Sequence, residues 1–170
     1  LKRIPRLEIE HYRTKMSKIK IPGLHFEIVG SYRRGADNSG DIDVIITHTN
    51  DDKNVFGLFI DALIQNKIII ELLSKGKKKS LTVGKLRGHP ARRLDFMFTT
   101  KEEYPFAVLY FTGSKIFNTL MRGQALKMGY TMNEHGLCKL KKGAKGSKIE
   151  RKFKDVKDIF DFLNIKWVEP

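Results

Sequence analysis

The sequence predicts an α+β protein in two lobes: a sheet-bearing lobe over residues 1–103, then a smaller α+β lobe over residues 104–170. Three observations predict it. Ile42 to Thr47 is a β-branched run, apolar on both faces after its first residues, as a central strand should be. Arg92 to Thr99 alternates, with Leu94, Phe96 and Phe98 on one face and Arg93, Asp95 and Met97 on the other. After Thr100 the texture changes to two helical stretches separated at Thr112-Gly113.

The elements follow in order. Pro5 suits a first helical turn, and Ile9, Tyr12, Met16 and Ile19 repeat at helical spacing until Pro22-Gly23 ends the segment. Leu24 to Val29 alternates as a strand, and Gly30 to Gly40 reads as a polar, glycine-punctuated loop before the central strand. Val55 to Gln65 is amphipathic; Ile68 to Leu73 and Ser80 to Leu86 read as strands around a lysine-rich turn. Lys101 to Phe111 and Ser114 to Met128 read as helices, with Ser114 an N-cap and Gly129 a C′ residue. A hairpin (Tyr130 to Asn133, Leu137 to Leu140), a basic loop and a helix from Asp155 to Leu163 complete the chain.

A chain of 170 residues hides roughly 70% of the surface of its unfolded form, so a real core is expected. With 41% hydrophobic and 31% charged residues it reads as globular rather than disordered. The single cysteine, Cys138, excludes an intramolecular disulfide framework and any multi-cysteine zinc site. No run of about 18 apolar residues predicts a membrane span. The first residues hold no signal-peptide core, and the missing initiator Met leads us to expect a piece of something longer. The net charge of +14 points to an anionic partner, nucleic acid being the commonest. The cations cluster: Lys75, Lys77, Lys78 and Lys79 in one turn, and a second stretch from Lys139 to Lys154. Neither cluster interleaves aromatics, so both read as phosphate-contacting loops rather than stacking platforms.

The chemistry concentrates around three aspartates. Asp41 and Asp43 flank Ile42 at the start of the central strand, on one face and roughly 6–7 Å apart. Two carboxylates so close repel, and a divalent cation between them relieves the repulsion. Hard oxygen ligands suit Mg²⁺, which takes the rest of its shell from water and phosphates. Alone, Asp41-x-Asp43 reads equally well as a turn-and-cap pair at a strand entrance. The strand continuing as Val44-Ile45-Ile46 and the Gly30-Ser31 pair upstream weigh against that reading. If the strand of Asp95 neighbours that of Asp43, Asp95 completes a three-carboxylate site for two metals. Gly30 and Ser31 can offer backbone N–H groups and a hydroxyl to phosphate oxygens, and Arg34 a charge-assisted bond.

Gly-Ser, nine residues, then Asp-x-Asp is the signature of the nucleotidyltransferases. The fuller string Gly30-Ser31-Tyr32-Arg33-Arg34-Gly35 and Ser39-Gly40-Asp41-Ile42-Asp43-Val44 closely resembles the family X DNA polymerases, of the polymerase beta and lambda type. So do Arg3-Ile4-Pro5-Arg6, Leu73-Ser74-Lys75-Gly76, Arg92-Arg93-Leu94-Asp95, Tyr110-Phe111-Thr112-Gly113-Ser114 and Trp167-Val168-Glu169-Pro170, in order and over nearly the whole chain. The resemblance implies a polymerase beta-like palm with a mixed sheet, followed by a small thumb-like, nucleotide-selecting subdomain. It implies that Asp41 and Asp43 bind two Mg²⁺ ions, for which Mn²⁺ could substitute, and that Asp95 binds the catalytic one and helps deprotonate the primer 3′-hydroxyl. Arg3, Gly30, Ser31, Arg34 and Gly40 would hold the triphosphate. Tyr110, Phe111 and Gly113 would form the sugar-sensing turn, with Lys115 beside the nucleotide and Asn118 on the base. Lys79, Arg93 and Arg122 would contact DNA. Residue by residue, Arg122 also reads as a solvated helix charge and the aromatic pair as core packing, although Asn118 and Arg122 share a helix face.

The pattern has departures. The lyase and helix-hairpin-helix domains of larger members are absent from this sequence. Lys115 replaces an acidic or small residue, Met97 an arginine and His135 a tyrosine, while Asn133 and Glu134 match. The expected activity is template-directed addition of deoxynucleotides to a primer 3′-hydroxyl in gap-filling repair. Its partners would be primer–template DNA and deoxynucleoside triphosphates, and the chain a monomer. It would act in the nucleus of a eukaryote, or in the virion or host cell if viral. The rivals are a template-independent nucleotidyltransferase, of terminal transferase or RNA-tailing type, and a non-catalytic DNA-binding fragment.

Overall fold

The computed structural model describes residues 2–170. In chain order these form β1 (Ile4–Pro5), α1 (Arg6–Ser17), β2 (Leu24–Ile28), α2 (Gly30–Arg33), β3 (Asn38–Ser39), β4 (Ile42–His48), α3 (Asn54–Gln65), β5 (Ile69–Lys75), β6 (Lys79–Gly84) and β7 (Arg92–Phe98). The remainder is α4 (Tyr104–Thr112), α5 (Lys115–Lys127), β8 (Tyr130–Asn133), β9 (Gly136–Lys141), β10 (Ala144–Lys148) and α6 (Val156–Phe162).

The main sheet has the order β2-β4-β7-β6-β5. β4 and β7 run parallel and the other neighbours antiparallel. This is the mixed sheet that the sequence predicts, and β4 is internal. Its side chains alternate between two cores. Ile42, Val44 and Ile46 pack with Ile9, Tyr12 and Met16 of α1 and Phe56, Phe59 and Leu63 of α3. Ile45, on the other face, packs with α4, α5 and α6 through Phe106, Leu109, Met121 and Phe160. Strand alternation therefore puts Asp43 on the face of Ile45, the face that the second lobe covers.

Five segments differ from the sequence reading, the first being Pro5, which lies in β1 as the extended N-cap of α1 rather than in its first turn. The Gly30 to Gly40 loop contains a one-turn helix, α2, and a two-residue strand, β3, which pairs with β1 (Ile4↔Ser39, Pro5↔Asn38). Gly30 turns the chain there at φ +69, a conformation glycine adopts without a Cβ clash. The first helix of the second lobe begins at Tyr104 rather than Lys101, because Pro105 sits best in a first turn and its ring blocks hydrogen bonding further in. The strands around the lysine-rich turn extend to Lys75 and Lys79, Gly76 N–H donating to the carbonyl of Lys79 at 2.8 Å. The basic loop is in part a strand, β10, on the edge of the sheet β10-β9-β8. An edge strand wet on both faces has no apolar alternation to betray it. Ser114 caps α5, accepting from Phe117 N–H at 3.3 Å, and Gly129 follows that helix at φ +86. Among the described residues no helix is long and apolar enough to cross a membrane.

Candidate active site

The parallel pairing of β4 with β7 sets Asp43 directly across from Asp95. Asp41 lies one residue before β4 and on the same face as Asp43. The three carboxylates each place an oxygen within 4.8 Å of the others. Burial, then the charges of Asp41 and Asp95, push the Asp43 carboxyl up to about 6. Asp41 is raised as well, by desolvation first and by Asp95 second. Arg93 Nη2 donates to Asp95 Oδ1 at 2.9 Å, and its Nε is buried with no partner. Among the described residues only Arg93 hydrogen-bonds one of the three carboxylates, while Arg3 and Lys79 act on Asp41 and Asp43 through their charges alone. An all-oxygen, partly desolvated, mutually repelling donor set is what hard divalent cations such as Mg²⁺ require, so these residues fit the expected ions.

Around this cluster the first lobe assembles the Gly-Ser segment and Arg3. A Cβ on Gly30 would lie 3.5 Å from Asp43 Oδ2, so the chain passes directly beside the carboxylate. Ser31 Oγ donates to Ser39 Oγ at 2.6 Å, which ties α2 to β3. Arg3 donates from Nε to Asn38 Oδ1 at 2.6 Å and from Nη2 to the Asn38 carbonyl at 3.2 Å. Its Nη1 is 3.6 Å from where a Cβ on Gly40 would stand, and its charge lowers Asp41. Arg3, Gly30, Ser31 and Gly40 thus gather beside Asp41 and Asp43. Arg34 instead donates from Nη1 to the Thr112 carbonyl, spanning the two lobes, while Arg33 bonds Thr112 Oγ1 at 3.1 Å and Glu27 at 2.9 Å.

In the second lobe, Asn118 Nδ2 donates to the Tyr110 carbonyl at 2.8 Å. Tyr110, Asn118 and Arg122 line one small cavity with Met132 and Asn133. Tyr110 and Phe111 meet edge to face with ring centres 5.0 Å apart, and Gly113 lies against Arg34. Lys115 and Arg122 are exposed, with no carboxylate within 4.0 Å among the described residues. Lys79 is exposed at the start of β6, and its charge reaches Asp43.

Sequence reasoning missed the residues that hold Arg3 in place. Glu8, 3% exposed, receives Arg92 Nε at 2.7 Å and Nη2 at 2.9 Å. Arg92 Nη1 also donates to the carbonyls of Lys2 and Arg3 at 3.3 and 3.4 Å. A glutamate on the apolar face of α1, beside Ile9 and Tyr12, was the available signal.

The family model of the DNA polymerase beta palm matches residues 3–101, and that of the DNA polymerase beta thumb matches residues 107–170. The chain is a family X DNA polymerase palm and thumb. It is 33% identical over 187 aligned positions to DNA polymerase lambda of Rattus norvegicus and 28% identical over 189 to DNA polymerase lambda of Arabidopsis thaliana. These alignments cover 100% and 99% of this chain but 33% and 36% of the relatives, so it spans about a third of their length. DNA polymerase IV of Saccharomyces cerevisiae is 31% identical over 108 positions, covering 64% of this chain and 17% of the relative. Family X membership accounts for the mixed α+β palm and the small second lobe, and metal dependence is general in the family. Met97 lies on strand β7 and His135 at the β8–β9 turn.

Proposed function

We propose that this chain is a DNA-directed DNA polymerase core that adds deoxynucleotides to a primer 3′-hydroxyl against a template, acting as a monomer in gap-filling repair. The observation that carries the reading is the convergence of Asp41, Asp43 and Asp95 across a parallel strand pair, with Gly30 and Ser31 beside Asp43.

In this reading the 3′-hydroxyl oxygen bonds to the α-phosphorus of a deoxynucleoside triphosphate, and the α–β bridging oxygen leaves with pyrophosphate. Two divalent cations, Mg²⁺ with Mn²⁺ as a substitute, held by Asp41, Asp43 and Asp95, would lower the hydroxyl's pKa and neutralise charge on the phosphates. Asp95 helps take up the hydroxyl proton, and Arg93 next to it approaches the primer terminus. Ser31, the backbone N–H groups near Gly30 and Gly40, and the cation Arg3 hold the β- and γ-phosphates, with Arg34 reaching them through the guanidinium nitrogens not bonded to Thr112. Tyr110, Phe111 and Gly113 crowd the sugar, Lys115 and Asn118 meet the nucleotide, and Arg122 and Lys79 contact DNA. Positioning and electrostatics suffice, with no covalent enzyme intermediate.

Primer extension on a templated duplex, on single-stranded DNA and on RNA tests the reading. The expected result is addition of the complementary deoxynucleotide to the duplex alone. Equal tailing of single strands would make the chain a template-independent transferase; no addition on any substrate would leave only a DNA-binding fragment.

A further inference from the structure

The basic stretch after Leu137 is, as far as Lys148, a β-ribbon rather than a loop. β9 begins buried at Gly136 and Leu137 and ends exposed at Lys141, so the hairpin runs outward from the lobe's core. Lys141 pairs with Ala144, and the two residues between them, Lys142 and Gly143, have φ +50 and +77. Positive φ at both central positions is what a type I′ turn requires, the tightest hairpin connection. Eight lysines and arginines fall between positions 139 and 154 against one acid, Glu150, and all eight are exposed. Among the described residues only Lys148 has a carboxylate within 4.0 Å, that of Glu102 at 3.9 Å. At the ribbon's base the guanidinium of Arg151 lies over Phe153 and Phe162, 5.4 and 5.3 Å from the ring centres.

We propose that the β9–β10 ribbon seats in the major groove of duplex DNA outside the nucleotide-addition site, with Lys139, Lys141, Lys142 and Lys145 on the phosphates. The B-form major groove is about 12 Å wide and admits a two-stranded ribbon, whereas the deep, narrow groove of an RNA helix does not. Lys139 and Lys141 share a face, about 6.8 Å apart, equal to two 3.4 Å steps of phosphate charge along the axis of B-DNA and close to the distance between neighbouring phosphates on one strand. The ribbon's tip, Lys141-Lys142-Gly143-Ala144, carries no Arg, Asn or Gln, and with its lysines on phosphates rather than on base edges the contact is independent of sequence. β8 packs on α5, and β9 and β10 follow in the sheet, so the ribbon extends the lobe away from Asn118 and Arg122. The choice of DNA as the partner rests on the polymerase reading above.

A closed duplex with both ends capped by hairpin loops offers no primer terminus and so removes nucleotide addition from the test, while the variant below separates the ribbon from Lys79, Arg93 and Arg122. Binding is measured in EDTA without nucleotide, over a salt series. Replacing Lys139, Lys141, Lys142 and Lys145 together by Gln should weaken binding about tenfold or more at 0.1 M salt and reduce the log–log salt slope by about 2 to 4. Replacing the same four by Arg should preserve both. On the unmodified protein, the closed DNA duplex should protect these lysines from acetylation, a readout that needs no variant. An unchanged slope in the Gln variant, unprotected lysines, or equal protection by duplex RNA overturns the proposal. Primer extension by the Gln variant at saturating primer–template should match the parent. A parent that extends nothing sinks the polymerase reading separately, while the closed-duplex result still decides the ribbon.

Discussion

Asp43 is held at a position that the fold alone would not favour, half-buried between two other carboxylates, with its own pushed up to about 6. Asp43→Asn removes the repulsion and should raise the melting temperature of the metal-free protein while abolishing the rise that Mg²⁺ gives the parent. Calorimetry with and without Mg²⁺ checks this; an equal Mg²⁺-induced rise in both proteins would show that Asp43 holds no ion. Asp95→Asn keeps side-chain size and should lower the single-turnover rate about 10²-fold or more, with a smaller change in nucleotide affinity, because Asp41, Asp43, Ser31 and Arg3 remain. Near-parental extension by Asp95→Asn would break the three-carboxylate assignment. Lys115 stands exposed at the first turn of α5 with no acidic partner among the described residues. Its contact with a nucleotide would be the same in ground and transition states, so Lys115→Ala should raise the nucleotide KM with kcat little changed. Steady-state titration decides it, and an unchanged KM returns Lys115 to a solvated charge.

At the scale of elements, the site depends on a pin between α1 and β7 that no sequence motif announced. Arg92 joins Glu8 by two bonds and also holds the carbonyls of Lys2 and Arg3. Glu8 is lowered, chiefly by its hydrogen bonds from Arg92 against an opposing cost of burial. A carboxyl lowered in the folded state contributes stability that is complete above its unfolded value, about 4.3, and is lost as pH falls through the lower folded value. Glu8→Gln leaves Arg92 buried without a counter-charge and should cost about 3–5 kcal/mol at neutral pH. Urea unfolding should show that difference shrinking as pH falls below the unfolded value of about 4.3 and closing only beneath the lowered folded value, where parent and variant are both neutral at this position. A constant difference from pH 3 to 7 would mean that the charge of Glu8 is not its source. The pin was hidden because residue 8 meets residue 92 only after the sheet has formed. β4 and β7 were legible for the opposite reason: the run Ile42 to Thr47 and the alternation Arg92 to Thr99 encode their burial locally. The pair β1–β3 has two residues a side, too short for any period, and β10 has no buried face to write one. The aspartates were legible as a pair from the two-residue strand period and as a trio only on the condition that β4 and β7 adjoin. Arg34, expected on the triphosphate, bonds the Thr112 carbonyl here, a tertiary contact across 78 residues that spacing does not encode.

At the scale of the whole molecule, the two lobes are not independent, although family models match them as separate palm and thumb. Val29 and Ile45 come from the first lobe, are 1% and 2% exposed, and belong to the core of the second. Arg33 and Arg34 add polar contacts to Thr112. The apolar face that bears Asp43 is therefore completed only when α4 covers it. A chain ended at residue 103 keeps the first core but bares Val29, Ile45 and Met97 beside one another on the sheet. Each fully buried aliphatic side chain contributes about 1.5–3 kcal/mol, so losing cover on two should lower the unfolding free energy by several kcal/mol and create an adhesive patch. The truncated chain should bind a hydrophobic dye and aggregate, where residues 1–170 do neither. Ile45→Lys should reverse both effects in the truncated chain and destabilise the full one, where the same position is buried. Dye fluorescence and sedimentation on the four proteins separate the outcomes. A truncated chain that stays monomeric, binds no dye and unfolds at the urea midpoint of the full chain would mean that the second lobe adds nothing to the stability of the first, and that Ile45 is an incidental contact.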